Sequence, residues 1–260
     1  MEDSEKIILV HITDMHLYKS KETLYREVNP FDSYNRVISN IRKSNWNPDA
    51  LIVTGDISND GSIESYNNAF NEFSSLKIPV LCIPGNHDIK ENLISCLPKN
   101  TSSRLQIVSN WVFIGLDTSL KSNPSGFLNS SELSKLKARI EEHHKKNIII
   151  CLHHQPLLIN SKWIDEIGLE NKEEFFEIIK KYKNIKGIFF GHIHQEFNSN
   201  INHIGIYGTP STCIQFKPGK KKFELDILPP AYRRIELGRN GTINTDVVWI
   251  DPCDRKKFIQ

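Results

Sequence analysis

Short apolar segments that end in acidic, amide or histidine side chains recur five times in this 260-residue chain. In the stretch Leu51–Asp60, four apolar or β-branched residues predict a buried strand, Gly55 ends it, and Asp56 follows directly. The other segments end at Asp14 and His16, Asn86 and His87, His153 and His154, and His192 and His194. Since ligands gather beyond the carboxyl ends of strands in α/β sheets, the pattern predicts that these ends converge on one site.

The order of the predicted elements indicates the fold class. Strands and amphipathic helices alternate through residues 1–195, with one helix predicted over 34–46 from its apolar spacing. Residues 196–250 are rich in Gly, Pro and β-branched residues and predict mainly antiparallel strands. This order is typical of an α/β protein with two packed sheets flanked by helices. We expect a single domain over 1–260 that ends in a tail at 251–260.

Local signals predict several element boundaries. Ser130 or Ser131 is predicted to cap a helix, and Asn171 with Glu174 resembles a capping box at the start of the next one. A strand is predicted over residues 211–216.

Composition narrows the class of partner. A formal net charge of +2 gives no strong field for nucleic acid or membranes, and no apolar run approaches the length of a membrane span. Of the 5 cysteines, Cys82, Cys151 and Cys213 lie in apolar runs and none forms a closely spaced pair. That pattern favours buried, reduced thiols and a cytoplasmic location. We therefore expect a small-molecule substrate, with neither nucleic acid nor membrane as partner; the sequence leaves the oligomeric state open.

The residues at the strand ends are of the types that bind a pair of metal ions. One ion is predicted to be held by Asp14, His16, Asp56 and His194, and the second by Asn86, His153 and His192 with Asp56 shared. Two ions ~3.5–4 Å apart can hold a bridging hydroxide and two oxygens of a phosphate ester. This mixed donor set suits Mn²⁺, Fe²⁺, Fe³⁺ or Zn²⁺, and the spacing does not choose among them.

Residues beside the predicted ligands suggest further roles. His87 follows the ligand Asn86 and is our candidate for the general acid that protonates the leaving oxygen. Asp88, Asp60 and Gln195 are predicted to fix the tautomers of the ligand histidines.

The ordered motifs resemble a known family. Asp14-x-His16, Gly55-Asp56, Gly85-Asn86-His87-Asp88, His153-His154 and Gly191-His192-x-His194 are similar to those of the calcineurin-like metallophosphoesterase superfamily. The resemblance implies a four-layer α/β/β/α sandwich with a binuclear site at its strand ends. It implies that His153 is the ligand and that His154 lies nearer the substrate phosphate. The residues it implies for catalysis are Asp56, Asn86 and His87, and those for substrate binding are Asn86, His87, His154 and His194.

A narrower group can be named from two further stretches. Residues 55–61 and 208–216 resemble the bacterial class III 3′,5′-cyclic AMP phosphodiesterases, although Gln155 and Ala231 depart from that pattern. This resemblance implies hydrolysis of cyclic AMP to 5′-AMP by a metal-bridging hydroxide. Two alternatives stay open. One is a broad phosphodiesterase or monoesterase for small esters such as glycerophosphodiesters or 2′,3′-cyclic nucleotides, and the other is a non-catalytic scaffold.

Overall fold

The computed structural model describes residues 6–250, in which two six-stranded sheets and a two-stranded ribbon combine with six helices. The strands are β1 (Ile7–Ile12), β2 (Ala50–Thr54), β3 (Val80–Ile83), β4 (Thr101–Ser102), β5 (Leu105–Val108), β6 (Trp111–Gly115), β7 (Asn147–Leu152), β8 (Ile185–Phe190), β9 (Phe197–Ile201), β10 (Ile204–Gly208), β11 (Gln215–Phe216), β12 (Leu225–Asp226), β13 (Ala231–Leu237) and β14 (Ile243–Trp249). The helices are α1 (Pro30–Lys43), α2 (Ile63–Ser74), α3 (Lys90–Cys96), α4 (Ser130–Glu142), α5 (Lys162–Asp165) and α6 (Lys172–Ile179).

Each large sheet has a parallel centre. The first sheet has the order β14-β13-β1-β2-β3-β4, and the second has the order β5-β6-β7-β8-β10-β9. Strands β1 to β4 run parallel in the first sheet, as do β6, β7, β8 and β10 in the second. The carboxyl ends of the central strands of each sheet therefore open at a single edge.

Side chains that point alternately to the two faces of each buried strand produce the layers. In β2, Ile52 contributes to a core between the two sheets that also contains Phe113 and Phe189 of the second sheet. Leu51 and Val53 point the other way and pack in a cluster with α1, α2 and α3. The outer face of the second sheet is covered by α4, α5 and α6. These four layers confirm the predicted α/β/β/α sandwich.

The first helix begins earlier than its apolar spacing predicted. It starts at Pro30, where the missing N–H costs nothing, and the Asn29 side chain caps it by accepting from the Asp32 N–H at 3.0 Å. The predicted apolar repeat begins only at Tyr34, so it missed the first turn, in which Pro30 and Ser33 are buried.

One predicted cap is wrong, and another marks the right helix start without the predicted capping bond. Helix α4 is capped by Asn129, which accepts from the Glu132 N–H at 3.0 Å, rather than by either of the serines that follow it. Asn171 makes no capping bond in α6. Its side chain instead accepts from the Leu128 N–H and donates to Glu174, each at 3.0 Å, and so ties α6 to the loop before α4.

The C-terminal region departs from the prediction at two points. Strand β10 pairs in parallel with β8, because the β9–β10 hairpin places β10 on the inside of the sheet edge. In the segment 211–216, only Gln215–Phe216 is strand. The residues before it form a loop, in which Ser211 Oγ donates to the Asp14 carbonyl at 2.6 Å and the Ser211 N–H donates to Gln215.

Two composition-based predictions concern cysteines and membrane spans. Cys82, Cys151 and Cys213 are buried and not disulfide-bonded, as predicted, whereas Cys253 and the predicted tail at 251–260 lie outside the described residues. Within residues 6–250, no helix combines the length and the hydropathy that crossing a membrane would require.

Candidate metal centre

The loops that follow β1, β2, β3, β7 and β8 meet where these strands end. They bring together four overlapping groups of side chains, within each of which the potential ligand atoms lie within 4.8 Å of one another. The groups are Asp14, His16 and His194; His16, Asp56 and His87; Asp14, Asp56 and His153; and His153, His154 and His192. The side chains predicted from five separate segments thus occupy one place in the fold.

Left-handed backbone conformations set the directions of five of these side chains. Asp14 has φ 54°, His16 50°, Asp56 50°, His192 67° and His194 47°. The chain is therefore not extended at Asp14 and His16, yet both side chains reach the same group. Such conformations cost about 1–3 kcal/mol each in non-glycine residues and cluster at functional sites. The strands end in sharp turns that face the site.

Two histidines face each other with their Nε2 atoms. His16 Nδ1 donates to the Asn59 side-chain oxygen at 3.1 Å, and His194 Nδ1 donates to the Ile214 carbonyl at 2.8 Å. A neutral ring whose Nδ1 is the donor carries its lone pair on Nε2, and the two Nε2 atoms lie 3.1 Å apart. Asp14 Oδ1 lies 3.4 Å from His194 Nε2. A cation between these atoms would be coordinated by both rings and by the carboxylate.

A second group of potential ligand atoms surrounds His153. Its Nδ1 donates to the Thr54 carbonyl at 2.6 Å, which leaves Nε2 facing Asn86 Oδ1 at 3.0 Å and Asp56 Oδ1 at 3.4 Å. His192 Nε2 is buried and has no hydrogen-bond partner among the described residues. A second cation would satisfy these four donors, so the residues present fit a pair of ions.

Asp56 links the two groups. Its Oδ2 lies 3.8 Å from His16 Nε2, while its Oδ1 lies near His153 and accepts the His87 backbone N–H at 2.9 Å. Gly85 makes this approach possible, since a Cβ on it would lie 2.2 Å from Asp56 Oδ1. One carboxylate therefore reaches both halves of the site, as the sharing of a ligand by two cations requires.

Burial and charge set the protonation of the histidines. Burial lowers the pKa of His16 to about 3 and holds that of His192 well below its usual value, so both rings are neutral. Burial also acts against a charge on His153, but the Asp56 carboxylate raises its pKa to about 9. A cation that binds His153 must therefore displace a proton, and binding should release acid.

His87 and His154 occupy different environments. His87 is exposed, and its ring lies 4.8 Å from the ring of His16. His154 is buried, with Nδ1 2.7 Å from Thr118 Oγ1 and Nε2 donating to the Pro124 carbonyl at 3.1 Å. Its ring lies 4.6 Å from that of His192. His87 presents a ring at the mouth of the site, whereas both nitrogens of His154 already have partners.

The outer residues predicted to fix histidine tautomers do not do so. No hydrogen bond within residues 6–250 joins Asp88, Asp60 or Gln195 to a ligand histidine. The partners are the Asn59 side chain and two backbone carbonyls. Asn59 lies inside the 55–61 motif and could have been predicted from the sequence. The two backbone carbonyls could not, because no particular side chain marks a carbonyl acceptor.

Asp88 instead holds two ligand loops by their backbones. Its carboxylate accepts the N–H groups of Ser58 at 3.0 Å and Gly85 at 2.8 Å, and that of Ile57 at 3.2 Å. Burial and then the charge of Asp56 raise the pKa of Asp88 to about 6. The three donors favour the ionised form, which prevails at neutral pH. Asp88 thereby sets the separation between the loop of Asp56 and the loop of Asn86.

The Asp88→Asn variant is expected to bind Mn²⁺ about 10- to 100-fold more weakly, the usual effect of losing an outer partner. The amide would turn an N–H₂ group toward backbone N–H groups, which costs about 1–3 kcal/mol for each donor left unpaired. Calorimetric titration of the metal-free protein measures the affinity. Asp49→Asn is the matched control, since Asp49 accepts a backbone N–H from Ile8 away from the ligand groups. Unchanged Mn²⁺ affinity in Asp88→Asn would contradict this role.

Comparisons with known proteins agree with the geometry. The profile of the calcineurin-like phosphoesterases matches residues 7–196. The chain is 36% identical over 244 residues to the 3′,5′-cyclic adenosine monophosphate phosphodiesterase CpdA of Vibrio vulnificus, covering 93% of this chain and 89% of the relative. It is 33% identical over 249 residues to a 3′,5′-cyclic-nucleotide phosphodiesterase of Nostoc sp., covering 95% and 94%.

Solved structures with little sequence identity share the fold. A dimetal phosphatase from Danio rerio superposes with a TM-score of 0.66 at 13% identity, covering 94% of this chain and 99% of that one. A purple acid phosphatase from yellow lupin superposes with a TM-score of 0.63 at 10% identity, covering 95% and 52%. Together with the profile match and the relatives in sequence, these findings show that the chain belongs to the calcineurin-like phosphoesterase family.

Proposed function

We propose that this protein is a binuclear metal phosphodiesterase that hydrolyses 3′,5′-cyclic AMP to 5′-AMP. The observation that carries the proposal is the 3.1 Å separation of the Nε2 atoms of His16 and His194, in a buried site that includes two carboxylates. The choice of substrate is supported by relatives named 3′,5′-cyclic adenosine monophosphate phosphodiesterase, which match more than nine-tenths of the chain. The proposed ligands are Asp14, His16, Asp56, Asn86, His153, His192 and His194, with Mn²⁺, Fe²⁺, Fe³⁺ or Zn²⁺ as the ions.

The chemistry divides between the ions and the chain. When bound, two such ions activate water at neutral pH and neutralise charge on the phosphate oxygens. Asn86 places a neutral amide beside His153, where it can orient a phosphate without adding repulsion. His87, exposed beside Asp56, is placed to donate a proton to the leaving 3′-oxygen. A phosphate contact from His154 would require it to give up its bond to Thr118 or to Pro124.

One assay tests the function directly. The purified protein is stripped with a chelator, reloaded with Mn²⁺ and given 3′,5′-cyclic AMP, and the products are separated by chromatography. We expect 5′-AMP only from the reloaded protein, because the stripped protein lacks the charges that stabilise the transition state. The stripped sample supplemented with Ca²⁺ is the control for ionic effects alone, since Ca²⁺ prefers an all-oxygen shell.

Three outcomes would count against the proposal in different ways. Metal-dependent cleavage of bis(4-nitrophenyl) phosphate without cleavage of cyclic AMP would keep the metal centre and favour a phosphoesterase of other small esters. Formation of 3′-AMP would show that the 5′-oxygen is the leaving group, whereas the proposal requires the 3′-oxygen to leave. Absence of any turnover under Mn²⁺, Fe²⁺ or Zn²⁺ would favour the non-catalytic scaffold.

A further inference from the structure

Aromatic rings cover one side of the metal centre. The Phe216 ring stacks on the ring of His194 with centroids 3.9 Å apart and an interplanar angle of 9°. Tyr25 stacks on His16 at 4.9 Å and 25°. The two histidines whose Nε2 atoms face each other are therefore each backed by an aromatic ring. These rings come from two segments, residues 18–28 and the β11–β12 ribbon.

The aromatic contacts continue outward to the surface. Phe223 lies 5.2 Å from Phe216 and 5.3 Å from Trp163, centroid to centroid, and Trp163 lies 5.1 Å from Phe216. Phe216 is buried, whereas Phe223 is 39% exposed. The guanidinium of the exposed Arg26 lies over the Phe223 ring at 4.9 Å. A cation–aromatic pair thus stands at the surface, and the Phe216 ring contacts both Phe223 of this pair and His194.

The turn that presents Arg26 is unusual. Tyr25 and Val28 exchange backbone hydrogen bonds at 2.8 and 3.1 Å, and the two residues between them, Arg26 and Glu27, have φ of 51° and 68°. Such a turn strongly prefers Asn and Gly at its centre, so Arg and Glu there carry a conformational cost. Single exposed apolar residues are common on protein surfaces. A strained turn that places a cation over such a residue is uncommon and points to a role for the pair.

We propose that Arg26 and Phe223 form the surface against which the nucleobase of the substrate stacks, an inference that rests on the proposed function. Nucleobases stack on aromatic rings and on guanidinium planes without regard to base identity. In a 3′,5′-cyclic nucleotide only the ribose separates the base from the phosphate. A phosphate held at the metal centre therefore leaves the base beside the ring stack that begins at His194. Arg26 and Phe223 determine affinity for nucleotides over simple esters.

The test compares two substrates with the same reacting atoms. Phe223→Ala is expected to raise KM for 3′,5′-cyclic AMP about tenfold with little change in kcat, the usual cost of removing a base-stacking ring. On 3′,5′-cyclic ribose phosphate, which has no base, the variant and the parent should have equal kcat/KM. Arg26→Ala, a change at an exposed residue, should show the same split, and Phe223→Tyr should restore the parent KM.

Controls separate this inference from the proposed function. Ile227→Ala removes a side chain that is 77% exposed in the segment after the β11–β12 ribbon and should leave both substrates unaffected. Binding of the product 5′-AMP by calorimetry gives a readout other than turnover and should weaken about tenfold in Phe223→Ala. If the parent enzyme does not hydrolyse cyclic AMP, the proposed function fails. If it does, and Phe223→Ala slows both substrates equally or neither, the nucleobase surface is refuted.

Discussion

The Asp56→Asn variant is expected to lose at least about 10³-fold in turnover of 3′,5′-cyclic AMP, because the charge stabilisation from the ions is worth several kcal/mol and each 1.36 kcal/mol is a factor of ten. Asp56 is the carboxylate that approaches both His16 and His153, at 3.8 and 3.4 Å. An amide there cannot screen the repulsion between two cations. Elemental analysis of the purified variant should show fewer bound metal ions per chain than in the parent.

The control for Asp56→Asn is a second buried carboxylate outside the ligand groups. Asp117 is 8% exposed and pairs with Lys90, so Asp117→Asn removes a buried charge that belongs to none of the ligand groups. It should keep its metal content, whatever it loses in thermal stability. A full complement of metal and full activity in Asp56→Asn would show that the ions do not share this residue.

The His87→Ala variant is expected to slow hydrolysis of cyclic AMP by about 10²–10⁴-fold, the usual contribution of a positioned proton donor. The effect on bis(4-nitrophenyl) phosphate should be much smaller, because nitrophenolate is a stable anion that leaves without a proton. His87 is exposed and its ring lies beside His16, so it can reach a leaving oxygen at the mouth of the site. The ratio of the two rate losses is the measurement.

A dependence on the leaving group distinguishes a proton donor from a metal ligand. If His87 held an ion, its loss would slow both esters alike and would lower the metal content. His203→Ala is the matched control, because His203 is an exposed histidine whose Nε2 donates to the Tyr182 carbonyl. It should leave both esters unaffected. Equal losses on the two esters in His87→Ala would refute the proton-donor role.

The fold could be predicted from the sequence because its signals are local. Buried parallel strands are continuous apolar runs such as Ile149–Leu152, and helices that cover a sheet show one apolar face, as Val37, Ile38 and Ile41 do in α1. The alternation of the two therefore predicts layers. Strand β10 was missed as a parallel strand because pairing direction depends on which neighbour a hairpin places inside the sheet.

The outer contacts of the site could not be predicted, since they depend on distances across the fold. Asp88 was expected to hold a histidine but accepts backbone N–H groups from the loop of Asp56, about thirty positions earlier in the chain. The Ile214 carbonyl that orients His194 comes from a stretch predicted to be strand. The type of a residue does not indicate whether its backbone carbonyl will accept a hydrogen bond, so such an acceptor can be identified only from the tertiary structure.

The sequence by itself determined which residues stand at the ends of the strands, because strand periodicity and the breaks after it are properties of neighbouring residues. It therefore supplied Asp14, Asp56, Asn86, His153 and His192 as a set. The tertiary structure alone decided the direction of each side chain, the tautomers of the histidines and the aromatic stack that reaches Phe223. These features depend on left-handed turns and on contacts between segments far apart in the chain. Packing, and not the conformational preference of neighbouring residues, stabilises such contacts.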